Sequence, residues 1–104
     1  MPEEFCQVLV SATSQEEANQ ISDALVTKKR VAGSLILKGP SRYWWKEKIV
    51  EKEYYNIQAF SLTKNKAVII AEVKKIHSDD CPIIAFFAMD GNKEFLDWVK
   101  ESVV

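Results

Sequence analysis

The sequence predicts an α+β domain, a ferredoxin-like split βαβ sandwich with a long overhanging β-hairpin and a C-terminal helix. Three observations predict it. Hydrophobic periodicity along the 104 residues runs strand, helix, strand, strand, helix, strand, helix. Residues 49–62 contain neither Gly nor Pro and alternate with period two, as one long strand does. Both stretches of helical length join strands, so each serves as a crossover, and both long helices are expected on one sheet face.

Residues 5–12 (FCQVLVSA) are apolar and β-branched between acidic residues and Thr-Ser, which predicts a buried strand. Ser14 followed by Glu17 is a capping-box signature, and Ala18, Ile21, Ala24 and Leu25 form a helical stripe, predicting a helix over 15–29. Its basic end, Lys28, Lys29 and Arg30, suits the negative pole of the helix dipole and reads as a solvated terminus. Residues 31–38 predict a second strand. Gly39-Pro40 should then interrupt its pairing, because proline donates no ladder hydrogen bond, before the strand resumes over 42–45. Lys46, Glu47 and Lys48 are the expected polar turn of the hairpin.

The strand over 49–62 places Glu51, Glu53, Tyr55, Ile57 and Ala59 on one face and Lys52, Tyr54, Asn56, Gln58 and Phe60 on the other. Residues 64–77 predict a helix with Ile69, Val73 and Ile76 as its core stripe, capped by Thr63 or Asn65. The run 83–89 (IIAFFAM) is apolar at every position and predicts a central strand buried on both faces. Asp90-Gly91-Asn92 is a turn with Asn92 as N-cap. Phe95, Leu96, Trp98 and Val99 then mark an amphipathic final helix.

The hairpin raises a length problem. Its second strand spans about 46 Å, whereas a domain of this size has a diameter of roughly 35 Å. It must therefore overhang its own domain. The stretch 42–55 carries two Trp and three Tyr in a chain with 11% aromatic residues. An overhanging ribbon bearing Trp44, Trp45, Tyr54 and Tyr55 is an apolar patch with an open sheet edge, which natural monomers avoid. A second copy of the chain is the expected cover, with these four aromatics in the inter-subunit interface and cleft.

Composition narrows the function. The length and core suit a single domain over residues 1–104, burying roughly two-thirds of its unfolded surface. Fourteen Lys and Arg oppose fifteen Asp and Glu, a net charge of −1, so no nucleic-acid partner is expected. No apolar run approaches the length of a membrane span and no basic-apolar leader precedes Phe5, so a cytoplasmic protein without a membrane partner is expected. Cys6 and Cys81 form no C-x-x-C pair, which suits a reduced compartment, and Cys6 reads as a structural thiol in its strand. With one His and no serine elbow, no enzyme is predicted.

The sole titrating cluster is His77-Ser78-Asp79-Asp80-Cys81. Imidazole, carboxylate and thiolate form a mixed donor set suited to zinc or copper, which makes His77, Asp79 and Cys81 the candidate metal ligands. A structural reading competes with it: His77 ends the helix, Asp79 and Asp80 make the turn, and Cys81 packs as a small hydrophobe. Pro82 holds Cys81 extended, which argues against an i, i+4 pairing with His77.

Along nearly its whole length the chain resembles the CutA divalent-cation-tolerance family. The residues that carry the resemblance are Arg30-Val31-Ala32, Tyr43-Trp44-Trp45 with Lys48-Ile49 and Glu51, His77 with Pro82-Ile83-Ile84, and Asn92 with Phe95-Leu96-Asp97-Trp98. The resemblance implies a ferredoxin-like protomer, a homotrimer with hairpins wrapped around neighbours, and weak binding of a divalent metal, copper in particular, with no cofactor required. A trimeric scaffold or sensor that takes a small molecule or partner protein in its inter-subunit clefts is the alternative. Ser34 stands where the family commonly has a cysteine proposed as a ligand, Ile36 where it has Asn, Ser78 and Asp79 where it has Pro-Tyr, and Ile83 where it has a cleft glutamate. His77 carries over directly, with Asp79, Asp80 and Cys81 as substitute donors.

Overall fold

The computed structural model describes residues 4–104. Strand β1 (Phe5–Ala12) turns Cys6, Val8, Val10 and Ala12 into the core. Helix α1 (Gln15–Thr27) starts at Ser14, whose hydroxyl accepts from the Glu17 N–H at 3.1 Å, and buries Ala18, Ile21 and Leu25. It stops short of the predicted Lys29 because that residue adopts φ 58°. The Lys29 and Arg30 N–H groups then donate back to the Val26 and Leu25 carbonyls, the two bonds of a Schellman cap.

Strands β2 (Gly33–Trp45) and β3 (Lys48–Leu62) pair in unbroken antiparallel register from Gly33↔Phe60 to Trp45↔Lys48. The expected interruption at Gly39-Pro40 does not occur. β2 is the outer strand of the sheet, where alternate N–H groups point away from the partner, so a proline can sit without removing a ladder bond. The turn is also tighter than predicted, with Lys46 and Glu47 alone at φ 50° and 65° and Lys48 already in β3.

A 3-10 turn (Thr63–Asn65) leads into α2 (Lys66–Ile76), which buries Ile69 and Val73. Asn65 stands at the N-cap position, yet its side chain donates to the Val104 carbonyl at 3.1 Å and makes no capping bond. Asn92 likewise precedes α3 (Lys93–Ser102) without a side-chain cap. Between them lies β4 (Ile84–Ala88).

The sheet order is β2-β3-β1-β4, all antiparallel. β4 is therefore an edge strand, not the central one its composition predicts, and Ile83 and Phe87 are exposed. A continuous apolar run signals two faces that avoid water without saying whether the chain's own helices cover them. α1 and α2 cover one face, packing Ile21, Leu25, Ile69 and Val73 on Val8, Val10, Ile57 and Ala59. On the opposite face a smaller cluster, Leu62, Val99 and Val103 with Phe60 and Phe95, places α3 over one end only.

β1 pairs with β3 only from Tyr55 to Leu62, so Lys48 to Tyr54 are held by β2 alone. These residues form an overhang of about 23 Å at strand rise. It stretches the molecule to 43 × 27 × 22 Å. Among the described residues no helix is long and apolar enough to cross a membrane.

Candidate functional site

At the end of α2 the chain leaves helical geometry at His77, with φ −64° and ψ 135°, and crosses beneath the hairpin overhang before β4. His77 is turned inward, with its side chain 1% exposed. Its Nε2 meets the Ser11 carbonyl, an acceptor, so Nε2 carries the proton. Nδ1 accepts the Asp79 N–H at 3.1 Å and lies 3.2 Å from Glu17 Oε1. Both ring nitrogens are thus engaged within the chain.

Glu17 ties this corner together. Its carboxylate accepts from the Ser78 N–H at 2.8 Å, the Ser78 hydroxyl at 3.0 Å and the Thr13 hydroxyl. Burial alone would raise its pKa. The bonds from Thr13 and Ser78 outweigh burial and hold the carboxyl below its ordinary value. The acidic member of the capping-box signature therefore does not reach back to Ser14; it anchors the segment after α2.

That segment faces the aromatic ribbon. Buried Tyr54 donates its hydroxyl to Asp79 Oδ2 at 3.1 Å and lies 3.1 Å from the Tyr43 hydroxyl. Burial, followed by these two hydrogen bonds and the Asp79 charge, pushes the Tyr54 phenol pKa upward, so it remains a neutral donor. The Tyr43 and Tyr54 rings meet edge to face, 5.9 Å between centroids at 63°. With Trp45 they wall a cleft of about 200 Å³ whose other side is Ser78, Asp79, Asp80 and Cys81.

The predicted metal residues are neighbours that face different ways. His77 lies inside, Asp79 is bonded to Tyr54, and Cys81 is exposed on the cleft wall and not packed as a small hydrophobe. Among the described residues no three His, Cys, Asp or Glu side chains stand close enough to hold a metal ion. Ser34, at the family's cysteine position, pairs with the Ser22 hydroxyl. Cys6 is buried, which pushes its thiol pKa up, as befits a structural thiol. The donor set does not fit a preformed, tightly held metal centre; Asp79, Asp80 and Cys81 line one cleft without closing into a site.

The four predicted interface aromatics divide between faces. Register puts Trp45 and Tyr54 on the face away from α1 and α2, at the cleft, whereas Trp44 is 71% exposed and Tyr55 is partly buried against the main core. Sequence reasoning did not nominate Tyr43 or Glu17 for the site. Tyr43 was detectable, since β2 and β3 in hairpin register bring it to the same face as Tyr54. Glu17 carried no signal apart from its cap.

The profile of the CutA1 divalent ion tolerance protein family matches residues 6–102. The chain belongs to the CutA1 family. The divalent-cation tolerance protein CutA of Archaeoglobus fulgidus is 34% identical over 97 residues, covering 92% of this chain and 95% of that protein. Its Thermus thermophilus counterpart is 32% identical over 91% of this chain and 94% of its own length. The solved structure of the periplasmic divalent cation tolerance protein CutA from Archaeoglobus fulgidus superposes with a TM-score of 0.92 at 33% identity, covering 96% of this chain and 99% of that one. CutA1 from Oryza sativa, at 21% identity, reaches a TM-score of 0.93 over 98% of this chain and 95% of its own and shares the fold. The chain has the ferredoxin-like architecture that its sequence predicts, shared with these CutA1 structures.

Proposed function

We propose that the chain acts as a non-enzymatic cytoplasmic homotrimer that meets divalent cations weakly, through Asp79 and Cys81 at the cleft beneath the hairpin. The observation that carries this reading is the engagement of both His77 nitrogens, which leaves the exposed thiol, the Tyr54-bonded Asp79 carboxylate and the neighbouring Asp80 as the donors that face the cleft. Carboxylate and thiol donors of unlike hardness support a contact with copper or zinc that is weaker than a closed structural site. His77 then holds the segment in place. It has no free nitrogen to serve as a general base, which favours a role without catalysis.

Self-association is supported by the open face of the sheet. Leu35 and Leu37 of β2 lie on it, 54% and 53% exposed, together with Ile83 and Phe87 at the β4 side. The number three follows from the family resemblance. Titration calorimetry with Cu²⁺ on wild type, Cys81→Ser, Asp79→Asn and His77→Gln tests the metal reading. Loss of about tenfold in affinity, ~1.4 kcal/mol, is expected for Cys81→Ser and Asp79→Asn. Equal affinity in these two variants and wild type would overturn it. A solution mass three times 11.9 kDa is expected, and a mass of one chain would sink the assembly.

A second reading, a cleft that takes a small organic ligand, is favoured by its walls. Three of them are aromatic rings, and aromatic walls bind organic groups better than bare metal ions.

A further inference from the structure

We infer that this cleft is a cage for an alkylated ammonium group, a quaternary or tertiary amine headgroup held by Tyr43, Trp45 and Tyr54 against the Asp79 and Asp80 carboxylates. The inference deepens the second reading of the site and rests on the cleft being the functional one.

Shape comes first. The Tyr43 and Tyr54 rings stand at 63° to one another, so an edge-to-face corner, closed by Trp45, replaces a flat stack. Such a corner can surround a compact cation with the negative faces or edge oxygens of several rings, the geometry used wherever proteins recognise quaternary ammonium groups. The volume of about 200 Å³ suits a headgroup, and a second hollow of about 340 Å³ that shares Tyr43, Trp45, Tyr54, Asp79 and Cys81 leaves room for what the headgroup is attached to.

Charge is the second argument. Among the described residues two carboxylates and no Lys, Arg or His line the cleft, and Arg42, which lines the second hollow on these rings, is paired with Glu51. Asp79 is held by the Tyr54 hydroxyl on one oxygen, which positions its charge beside the rings without neutralising it. The rings already attract the chain's own ammonium groups: Lys52 Nζ lies 5.4 Å from the Tyr54 centroid and Lys46 Nζ 5.9 Å from that of Trp45. Both lysines are exposed, so these contacts are weak ones on rings suited to cations.

Chemistry selects among cations. A primary ammonium brings three N–H donors that must each find an acceptor once desolvated; the acidic wall can take some of them, but the indole and phenol faces on the other side are poor acceptors. An alkylated ammonium spreads its charge over methyl groups and has few or no donors to satisfy. It gains from apolar contact and from the carboxylates at once.

The test uses the intact chain in EDTA, with choline chloride as the probe and 3,3-dimethylbutan-1-ol as its uncharged isostere, followed by calorimetry and NMR line shifts. Saturable choline binding is expected, weaker by about tenfold or more for the neutral isostere and for Asp79→Asn. Trp45→Leu should lose it as well, with circular dichroism and solution mass verifying that each variant remains folded and assembled. Equal binding of choline and the alcohol would reduce the cleft to an apolar hollow, and unsaturable choline titration would remove the site; either result overturns the inference. Binding to a dissociated Leu37→Asp chain but not to wild type would overturn it too, because a second copy would then fill the cleft. Failure with choline alongside retained Cu²⁺ binding and trimer mass would leave the cation-tolerance reading standing.

Discussion

At the residue scale, Glu17 performs two tasks that its position in a capping signature does not reveal. Its backbone N–H completes the Ser14 cap, while its buried carboxylate collects Thr13 and both Ser78 donors. Replacing it by Ala strands the Ser78 N–H in a partly buried corner, so Glu17→Ala is expected to cost about 1–3 kcal/mol in urea unfolding. The carboxyl has a lower pKa folded than the ordinary 4.5. Its stabilising contribution is therefore complete above the unfolded pKa and is lost as pH falls through the folded value. Glu17→Gln should flatten the acid limb of the stability curve between about pH 5 and 3, measured by denaturant midpoints. A limb of unchanged steepness would show that other carboxylates govern it. In the main core, Ile69 is fully buried between α1 and the sheet, and Ile69→Ala should lower stability by about 2–5 kcal/mol.

At the element scale, the chain spends conformational strain at two reversals. Lys29 closes α1 in a left-handed conformation that glycine adopts without a Cβ clash. Lys29→Gly should therefore stabilise by about 0.5–1 kcal/mol, the left-handed penalty less glycine's extra unfolded freedom. A lower melting temperature would mean that the lysine side chain contributes more than its backbone costs. Lys46 and Glu47, both with positive φ, form a two-residue hairpin turn of the kind that Asn-Gly fits best. The pair replaced by Asn-Gly should raise stability by about 1 kcal/mol with assembly intact, read from thermal unfolding and solution mass.

At the scale of the whole molecule, the sheet has one covered and one largely open face. α1 and α2 seal the first; α3 seals only the end of the second, leaving Leu35 and Leu37 in the open. Leu37→Asp places a charge in the middle of the face assigned to self-association, where burial without a partner is costly. It should shift the sedimenting species toward a single chain while leaving the far-UV circular dichroism unchanged, since no residue of the main core is touched. An unaltered mass would move the contact surface elsewhere, to the hairpin tip around Trp44.

Local chemistry determined a great deal here. Periods of 2 and 3.6 residues are written in neighbouring side chains, so the order of elements, the long uninterrupted β3, the Ser14 cap and the overhang that follows from strand rise were all legible in the sequence. Nonlocal pairing decided the rest. An apolar run such as 83–89 looks alike at an edge and in the middle of a sheet, and β4 lies at the edge. Pro40 is harmless only because β2 has a free side. His77 was visible as a titrating residue, but the Ser11 carbonyl and the Asp79 N–H that occupy its ring arrive from a strand 66 residues away and from a turn two residues on. Tyr43 and Tyr54 are eleven positions apart in sequence and become a corner only when the hairpin closes. Periodicity is a property of neighbours, whereas a site depends on which distant groups the fold brings within hydrogen-bonding reach, and that is set by packing alone.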